Sequence, residues 1–306
     1  MTRTIKLSDG KSIPALGWGN GSGGLNGKND PAVVAGVEAL NAGLKHIDTA
    51  ELYKTEKATA EAIEKTGVNR KDIWITTKIS GSDKKADPEA VRATVEERIS
   101  FLGGKPDLLL IHNPFVIEEG KIGQYWTLLE DLVYDGTLEG VSLGVSNFRP
   151  QDLQDVLKVA RIKPVVNQLE FHPYVLSHLE PVLAIHAQNG IRVEAYGPLT
   201  PLLRHPTGGP IKPILERISG RLEKEAGKPV DIANVLQLWT IQYGAVAVTT
   251  STKPDNIKKL AEVDSLPDLT SEEVKEIEEA GKKIHFRHYK EHMTKDFPEP
   301  DLPSDL

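Results

Sequence analysis

Short apolar runs alternate with amphipathic stretches along most of this chain. After Asp30-Pro31, a pair suited to an N-cap followed by a first-turn proline, Val33, Val34, Val37 and Leu40 recur at helical spacing and Gly43 closes the segment. His46–Asp48 then reads as a short strand, Lys57–Lys65 as a helix and Ile73–Lys78 as a strand. Asp87-Pro88 opens a further helix, which places Val91, Val95, Ile99 and Leu102 on one face and turns Arg92, Glu96 and Arg98 outward. The alternation continues with strand Leu108–His112, a helix around Leu128–Val133, strand Val141–Ser146 and helix Pro150–Val159. Strand Val165–Glu170, helix Glu180–Asn189 and strand Val193–Tyr196 follow. A long connection rich in Pro and Gly leads to helix Ile232–Tyr243 and strand Ala245–Thr249.

With the strand after Pro14 there are eight strand–helix units. Strands this short and apolar, separated by amphipathic helices, imply a parallel sheet covered by helices. Eight units in about 250 residues predict an α/β fold of the closed (β/α)8 TIM-barrel type, with an open doubly wound sheet as the alternative. The barrel core spans about residues 13–260 of one domain covering 1–306. Thr4–Lys6 and Lys11–Ile13 around Ser8-Asp9-Gly10 predict an N-terminal hairpin. Thr270-Ser271-Glu272-Glu273 is a capping box that starts an extra helix through Lys282. The tail beyond it carries His285, Phe286, His288, Tyr289 and Phe297, and is expected to pack near the barrel mouth.

Composition narrows the function classes. With 39% hydrophobic residues the chain can bury a sizeable core, and its net charge of −7 argues against nucleic-acid or anionic-membrane partners. There is no cysteine, so disulfides and thiolate metal sites are out. No apolar run approaches the ~18 residues of a membrane span, and the N-terminus does not resemble a signal peptide. The expectation is a soluble, cytoplasmic, metal-free protein that acts on a small molecule.

In a (β/α)8 barrel the C-terminal ends of the strands meet at one mouth. Asp48, Lys78 and His112 each end a strand, and Tyr53 sits in the loop after the first. An ammonium beside a phenol favours the phenolate, Asp48 can hold that ammonium, and His112 can orient a substrate oxygen. Taken singly, each has an ordinary role as a cap, a packing residue or a surface charge; together they make a proton-transfer site. The glycines of Gly17-Trp18-Gly19-Asn20-Gly21 do not complete a dinucleotide fingerprint, because Ser22 stands where the third glycine is required. They read as a flexible first loop of the mouth.

His46-Ile47-Asp48-Thr49-Ala50 with Tyr53, Trp74–Lys78, Asp107–His112, Gly144–Phe148, Asn167–Pro173 and Ala195–Leu199 together resemble the aldo-keto reductase family, in order and at family spacing. The pattern is most similar to the fungal keto-amide and conjugated-polyketone reductase branch. The resemblance implies NAD(P)H-dependent reduction of an aldehyde or ketone by a monomer. Tyr53 would be the general acid, tuned by Lys78 and Asp48, with His112 orienting the carbonyl. It also implies that Ser146, Asn147 and Gln168 bind the nicotinamide carboxamide, that Tyr196 stacks on the ring, and that Gly19, Asn20 and Leu199 lie along the cofactor. A non-catalytic NADPH-binding regulatory subunit on the same barrel is the competing reading; the full set of four catalytic residues weighs against it.

After the eighth strand the chain departs from the commonest family pattern. Many members carry a lysine and an arginine there that grip the 2′-phosphate; here the segment is Val248–Ile257, with Asn256 near the arginine position. Ser251, Thr252 and Lys253 at a helix start can still bind a phosphate, so NADPH is preferred over NADH. Trp18 and Asn113 are candidates for the substrate pocket; a turn before Pro114 is the plainer role for Asn113.

Overall fold

The computed structural model describes residues 2–289. Eight parallel strands close into a barrel in chain order: β3 (Leu16–Gly19), β4 (His46–Asp48), β5 (Trp74–Ile79), β6 (Leu108–Ile111), β7 (Ser142–Ser146), β8 (Val166–Glu170), β9 (Arg192–Tyr196) and β10 (Val246–Thr249), which pairs back onto β3. They are preceded by an antiparallel hairpin, β1 (Thr4–Lys6) and β2 (Ser12–Pro14). The hairpin plugs the N-terminal end of the barrel: Ile5, Leu7, Ile13 and Ala15 pack with Trp74, Leu108, Val165 and Val246. The opposite end is left for a site.

The outer layer is α1 (Asn29–Asn41), α2 (Glu56–Thr66), α3 (Pro88–Leu102), α4 (Ile122–Tyr134), α5 (Pro150–Leu157), α6 (Leu176–Asn189), α7 (Thr200–Leu203), α8 (Lys212–Ala226), α9 (Ile232–Gln242) and α10 (Pro254–Glu262). An eleventh helix, α11 (Ser271–Gly281), follows the barrel. Helix α3 forms where the residues dictate it: the Asp87 carboxylate accepts from the N–H groups of Glu89 and Ala90, Pro88 occupies the first turn, and Gly103 ends the helix at φ 68°. The capping box on α11 is present, with Thr270 Oγ1 accepting from Glu273 N–H and the Glu273 carboxylate accepting from Thr270 N–H.

Several boundaries differ from the sequence reading. Helix α1 starts at Asn29, so Asp30 lies inside the first turn, where its charge favours the helix dipole, rather than at the cap. Helix α6 begins at Leu176 and accommodates Pro181 near its start. The long connection after β9 is not simply loop: it holds α7 and the 15-residue α8, whose Leu215, Ile218 and Leu222 face the core. Arg98 does not point outward. It is 3% exposed and pairs with Glu56 at the start of α2, which in turn accepts from Thr77 Oγ1 at 2.6 Å. A buried guanidinium needs such a partner, and this one ties α2, α3 and β5 together.

Candidate active site

Alternation along the strands sorts side chains between the barrel interior and the helix layer. At the upper level of the interior stand Asp48, His112, Ser146 and Tyr196, at or just past strand ends, with Lys78 one residue and Gln168 two residues before the ends of β5 and β8. Lys78 is wholly buried; its Nζ donates to Asp48 Oδ1 at 2.6 Å and to the Thr49 carbonyl at 3.0 Å. Gln168 Nε2 donates to the other Asp48 oxygen at 2.8 Å. The Tyr53 ring stands 4.9 Å from Lys78 Nζ, and its hydroxyl lies 3.5 Å from His112 Nε2. On the far side of the imidazole, Nδ1 shares a 2.6 Å hydrogen bond with Ser80 Oγ. The four residues expected to form a proton-transfer site are brought together.

Burial works against the Lys78 ammonium, but Asp48, helped by Tyr53, outweighs it and holds the lysine pKa above its ordinary value. For Tyr53 the balance falls the other way. Burial pushes the phenol up, Lys78 pulls it down, and the net shift is upward. The expectation that Lys78 would leave Tyr53 with a lowered pKa is corrected accordingly: Tyr53 is a protonated phenol at neutral pH, with the Lys78 ammonium beside it.

The site opens into a cavity of about 500 Å³. Gly19, Gly21, Ser22 and Gly23 form one wall, Leu199, Thr200, Leu203 and Arg204 another, and Asp48, Tyr53, His112, Ser146, Asn147, Gln168 and Tyr196 the floor. Asn147, at φ 58°, donates through Nδ2 to the His112 carbonyl and to Ser146 Oγ, and its Oδ1 accepts from the Tyr196 hydroxyl at 2.8 Å. That bond fixes the Tyr196 ring at the cavity edge. A flat amide-bearing ring fits these residues: an aromatic face at Tyr196, with a hydroxyl and two amides beside it.

Other expected residues lie elsewhere. Trp18 is 1% exposed and sits among the helices, its Nε1 donating to the Ser251 carbonyl at 3.0 Å; it fills space outside the barrel wall and lines no part of the cavity. The reason is register: Gly17 and Gly19 face inward on β3, so Trp18 faces out. Asn113 is also absent from the lining, because its Oδ1 accepts from Phe115 N–H and caps a one-turn helix, the plainer of its two roles. The Asn20 side chain is occupied by Thr55 and Thr59 around the start of α2. At the start of α10, Ser251 Oγ accepts from Lys253 N–H, while Thr252, Lys253 and Asn256 are exposed beyond the cavity, which reaches Thr250.

The sequence reading missed Ser80, Arg204, Thr250 and the contact that holds the tail, which lies at the mouth as expected through Tyr289. Glu170, at the end of β8, accepts from the N–H groups of His288 at 2.9 Å and Tyr289 at 3.0 Å. Burial alone would raise the Glu170 carboxyl, but His172, Arg287 and the bonded N–H hold it below its ordinary value. This hook stands the Tyr289 ring edge-on to Tyr196, with centroids 5.3 Å apart, so that it lines the cavity. Phe297 lies outside the described residues.

Comparison with known proteins decides the family. The aldo/keto reductase family profile matches residues 16–282. The chain belongs to the aldo/keto reductase family. It is 32% identical over 291 residues to a Schizosaccharomyces pombe protein named NAD/NADP-dependent indole-3-acetaldehyde reductase, covering 93% of this chain and 97% of that protein. It is 33% identical over 287 residues to the Saccharomyces cerevisiae NADPH-dependent alpha-keto amide reductase, covering 90% and 89%. A crystal structure of a Bombyx mori aldo-keto reductase in complex with NADP superposes with a TM-score of 0.77 at 28% identity, covering 91% of this chain and 92% of that one. As a member of this family the chain is an oxidoreductase with a (β/α)8 barrel. Among the described residues no helix is long and apolar enough to cross a membrane.

Proposed function

We propose that this aldo/keto reductase reduces an aldehyde or ketone to an alcohol with NADPH, and that Tyr53 supplies the proton. The observation that carries the reading is the linked set on the cavity floor: Gln168 and Lys78 on Asp48, Lys78 beneath Tyr53, and the Tyr53 hydroxyl beside His112. When bound, the cofactor supplies the hydride. The chain's own residues do the rest. Ser146, Asn147 and Gln168 offer hydroxyl and amide groups to a carboxamide, and Tyr196 offers it a ring face. A Ser80 hydroxyl donating to His112 Nδ1 leaves the imidazole proton on Nε2, pointed at Tyr53 and the cavity, where it can hold a carbonyl oxygen. Tyr53 then gives its proton to that oxygen, and the Lys78 ammonium offsets the charge left on the phenol.

NADPH is favoured over NADH because Lys253 and the hydroxyls of Ser251 and Thr252 stand at the start of α10, where a 2′-phosphate can be met by an ammonium and helix N–H groups. A monomer is the proposed working unit, as the resemblance to the family implies.

The test is turnover of NADPH and NADH with a panel of aldehydes, α-keto amides, α-keto esters and diketones. Tyr53→Phe is expected to lose reduction while still quenching its fluorescence on cofactor binding. Turnover retained in that variant removes Tyr53 as the proton donor, and no turnover by the wild type across the panel removes the reductase reading.

A further inference from the structure

Directly beneath the catalytic level, each strand has an inward-facing residue two positions earlier: Gly17 below Gly19, His46 below Asp48, Thr76 below Lys78, and Glu194 below Tyr196. Most of this lower level is apolar, with Leu110, Val166 and Val248. Glu194 and His46 are the titratable exceptions, with the Thr76 hydroxyl beside them, and both are completely buried. His46 Nε2 lies 3.4 Å from Glu194 Oε1 and 2.9 Å from Thr76 Oγ1. Gly17 exists to admit the ring: a Cβ there would stand 2.9 Å from His46 Nδ1.

We propose that Glu194 and His46 are positioning residues that together hold one exchangeable proton beneath Lys78 and so set how much of the lysine's charge reaches Tyr53. The inference rests on Tyr53 being the proton donor. A carboxylate sealed in the barrel with no hydrogen-bond donor on either oxygen carries a heavy desolvation cost, and neither Glu194 oxygen has such a donor at hydrogen-bond geometry among the described residues. Keeping one proton on the pair, on the Glu194 carboxyl, removes that cost. The charged and titratable groups that face Glu194 are His46 and Asp48 from β4, Lys78 from β5 and Tyr53 from the loop after β4; β8 contributes the neutral Gln168, and β3 and β10 contribute only Gly17 and Val248 to this level.

The direction of the coupling follows. With the pair neutral, Lys78 answers to one carboxylate, Asp48, and its remaining field favours loss of the Tyr53 proton. Once the pair gives up its proton, a second carboxylate opposes Lys78 and Tyr53 holds its proton more tightly. Burial first, then Asp48, pushes the Glu194 carboxyl up to about 8, while Lys78 and Gln168 pull against them. Burial pushes His46 down to about 4, against Asp48. The pair is therefore neutral at pH 7, and its proton leaves on the alkaline side.

The experiment is the pH profile of kcat for carbonyl reduction in wild type, Glu194→Gln and Glu194→Leu. The wild type should lose activity on an alkaline limb near pH 8, and both neutral variants should carry that limb upward by about one unit or more. A structural role alone would lower kcat without moving the limb. Two neutral side chains of different shape keep the test standing if one of them fails to fold. Infrared difference spectra between pH 6 and pH 9 give a readout that does not need turnover: a neutral carboxylic-acid band lost on alkalinisation in the wild type and missing from Glu194→Gln. Unmoved limbs in the active variants overturn the proposal, as does an infrared difference that Glu194→Gln leaves unchanged. A wild type without turnover would sink the reductase reading instead, and the infrared band would still decide where the proton is held.

Discussion

The Tyr53 ring occupies the space that a side chain at residue 21 would need: a Cβ built on Gly21 would lie 2.4 Å from Tyr53 Cε2 and Cζ. Residue 21 is thus a glycine because the Tyr53 ring leans on its backbone. Gly21→Ala should displace the phenol from His112 and lower kcat by about tenfold or more, since a misplaced catalytic group costs that much readily. Cofactor affinity, read by fluorescence quenching, should change far less. Wild-type kcat in Gly21→Ala would show that the loop simply yields.

Asp48 is the only anionic partner within bonding distance of the buried Lys78 among the described residues. Asp48→Asn leaves that ammonium uncompensated, which should cost about 3–5 kcal/mol of stability and is measurable by urea unfolding at pH 7. The sign with pH is fixed by the raised lysine pKa: the pairing energy is present throughout the neutral range and is lost only as alkaline pH passes the folded-state value. A variant as stable as the wild type would mean that Lys78 sheds its proton when Asp48 is removed.

His186 is 3% exposed, and its Nε2 sits 3.1 Å from Asn167 Nδ2. The Asn167 amide is oriented by Phe148, whose N–H it accepts and whose carbonyl it donates to, so the imidazole must be the acceptor and therefore neutral. Burial pushes its pKa down to about 4. A depressed histidine pKa means that the unfolded chain takes up the proton first, so stability falls as the pH drops below about 6.5 toward 4. For this one group the loss is about 2 kcal/mol between pH 7 and pH 5. His186→Gln should flatten that slope, as read from denaturant midpoints at the two pH values.

Lys253 is exposed at the start of α10 and lies outside the cavity that Thr250 lines. Lys253→Ala should raise the KM for NADPH about tenfold while leaving that for NADH nearly unchanged, as expected on losing one charge-assisted phosphate contact. Equal effects on the two cofactors would exclude a 2′-phosphate role.

Most of the barrel was legible because short apolar strands and capped helices announce themselves locally, as at Asp87-Pro88 and Thr270–Glu273. The four site residues were legible because strand ends converge. What escaped depended on contacts distant in sequence. Arg98 looked like a surface residue until Glu56 was seen beside it, 42 positions away. Trp18 looked like a pocket residue because inward and outward positions on a four-residue strand flanked by glycines cannot be told apart by hydrophobicity. The glycines of that strand and of the loop after it looked like a flexible loop, whereas Gly17 and Gly21 leave the room that His46 and Tyr53 fill. The rise in the Tyr53 pKa could not be foreseen without knowing how the surrounding strands and loops enclose the half-buried phenol.

The hook at Glu170 also bears on how the mouth moves. Two consecutive amides on a single carboxylate make a two-point attachment, so the Tyr289 wall cannot swing about one bond and must lift together with its neighbours. Glu170→Gln is expected to weaken both attachments at once, seen as faster amide hydrogen exchange at positions 288 and 289 together rather than at either alone.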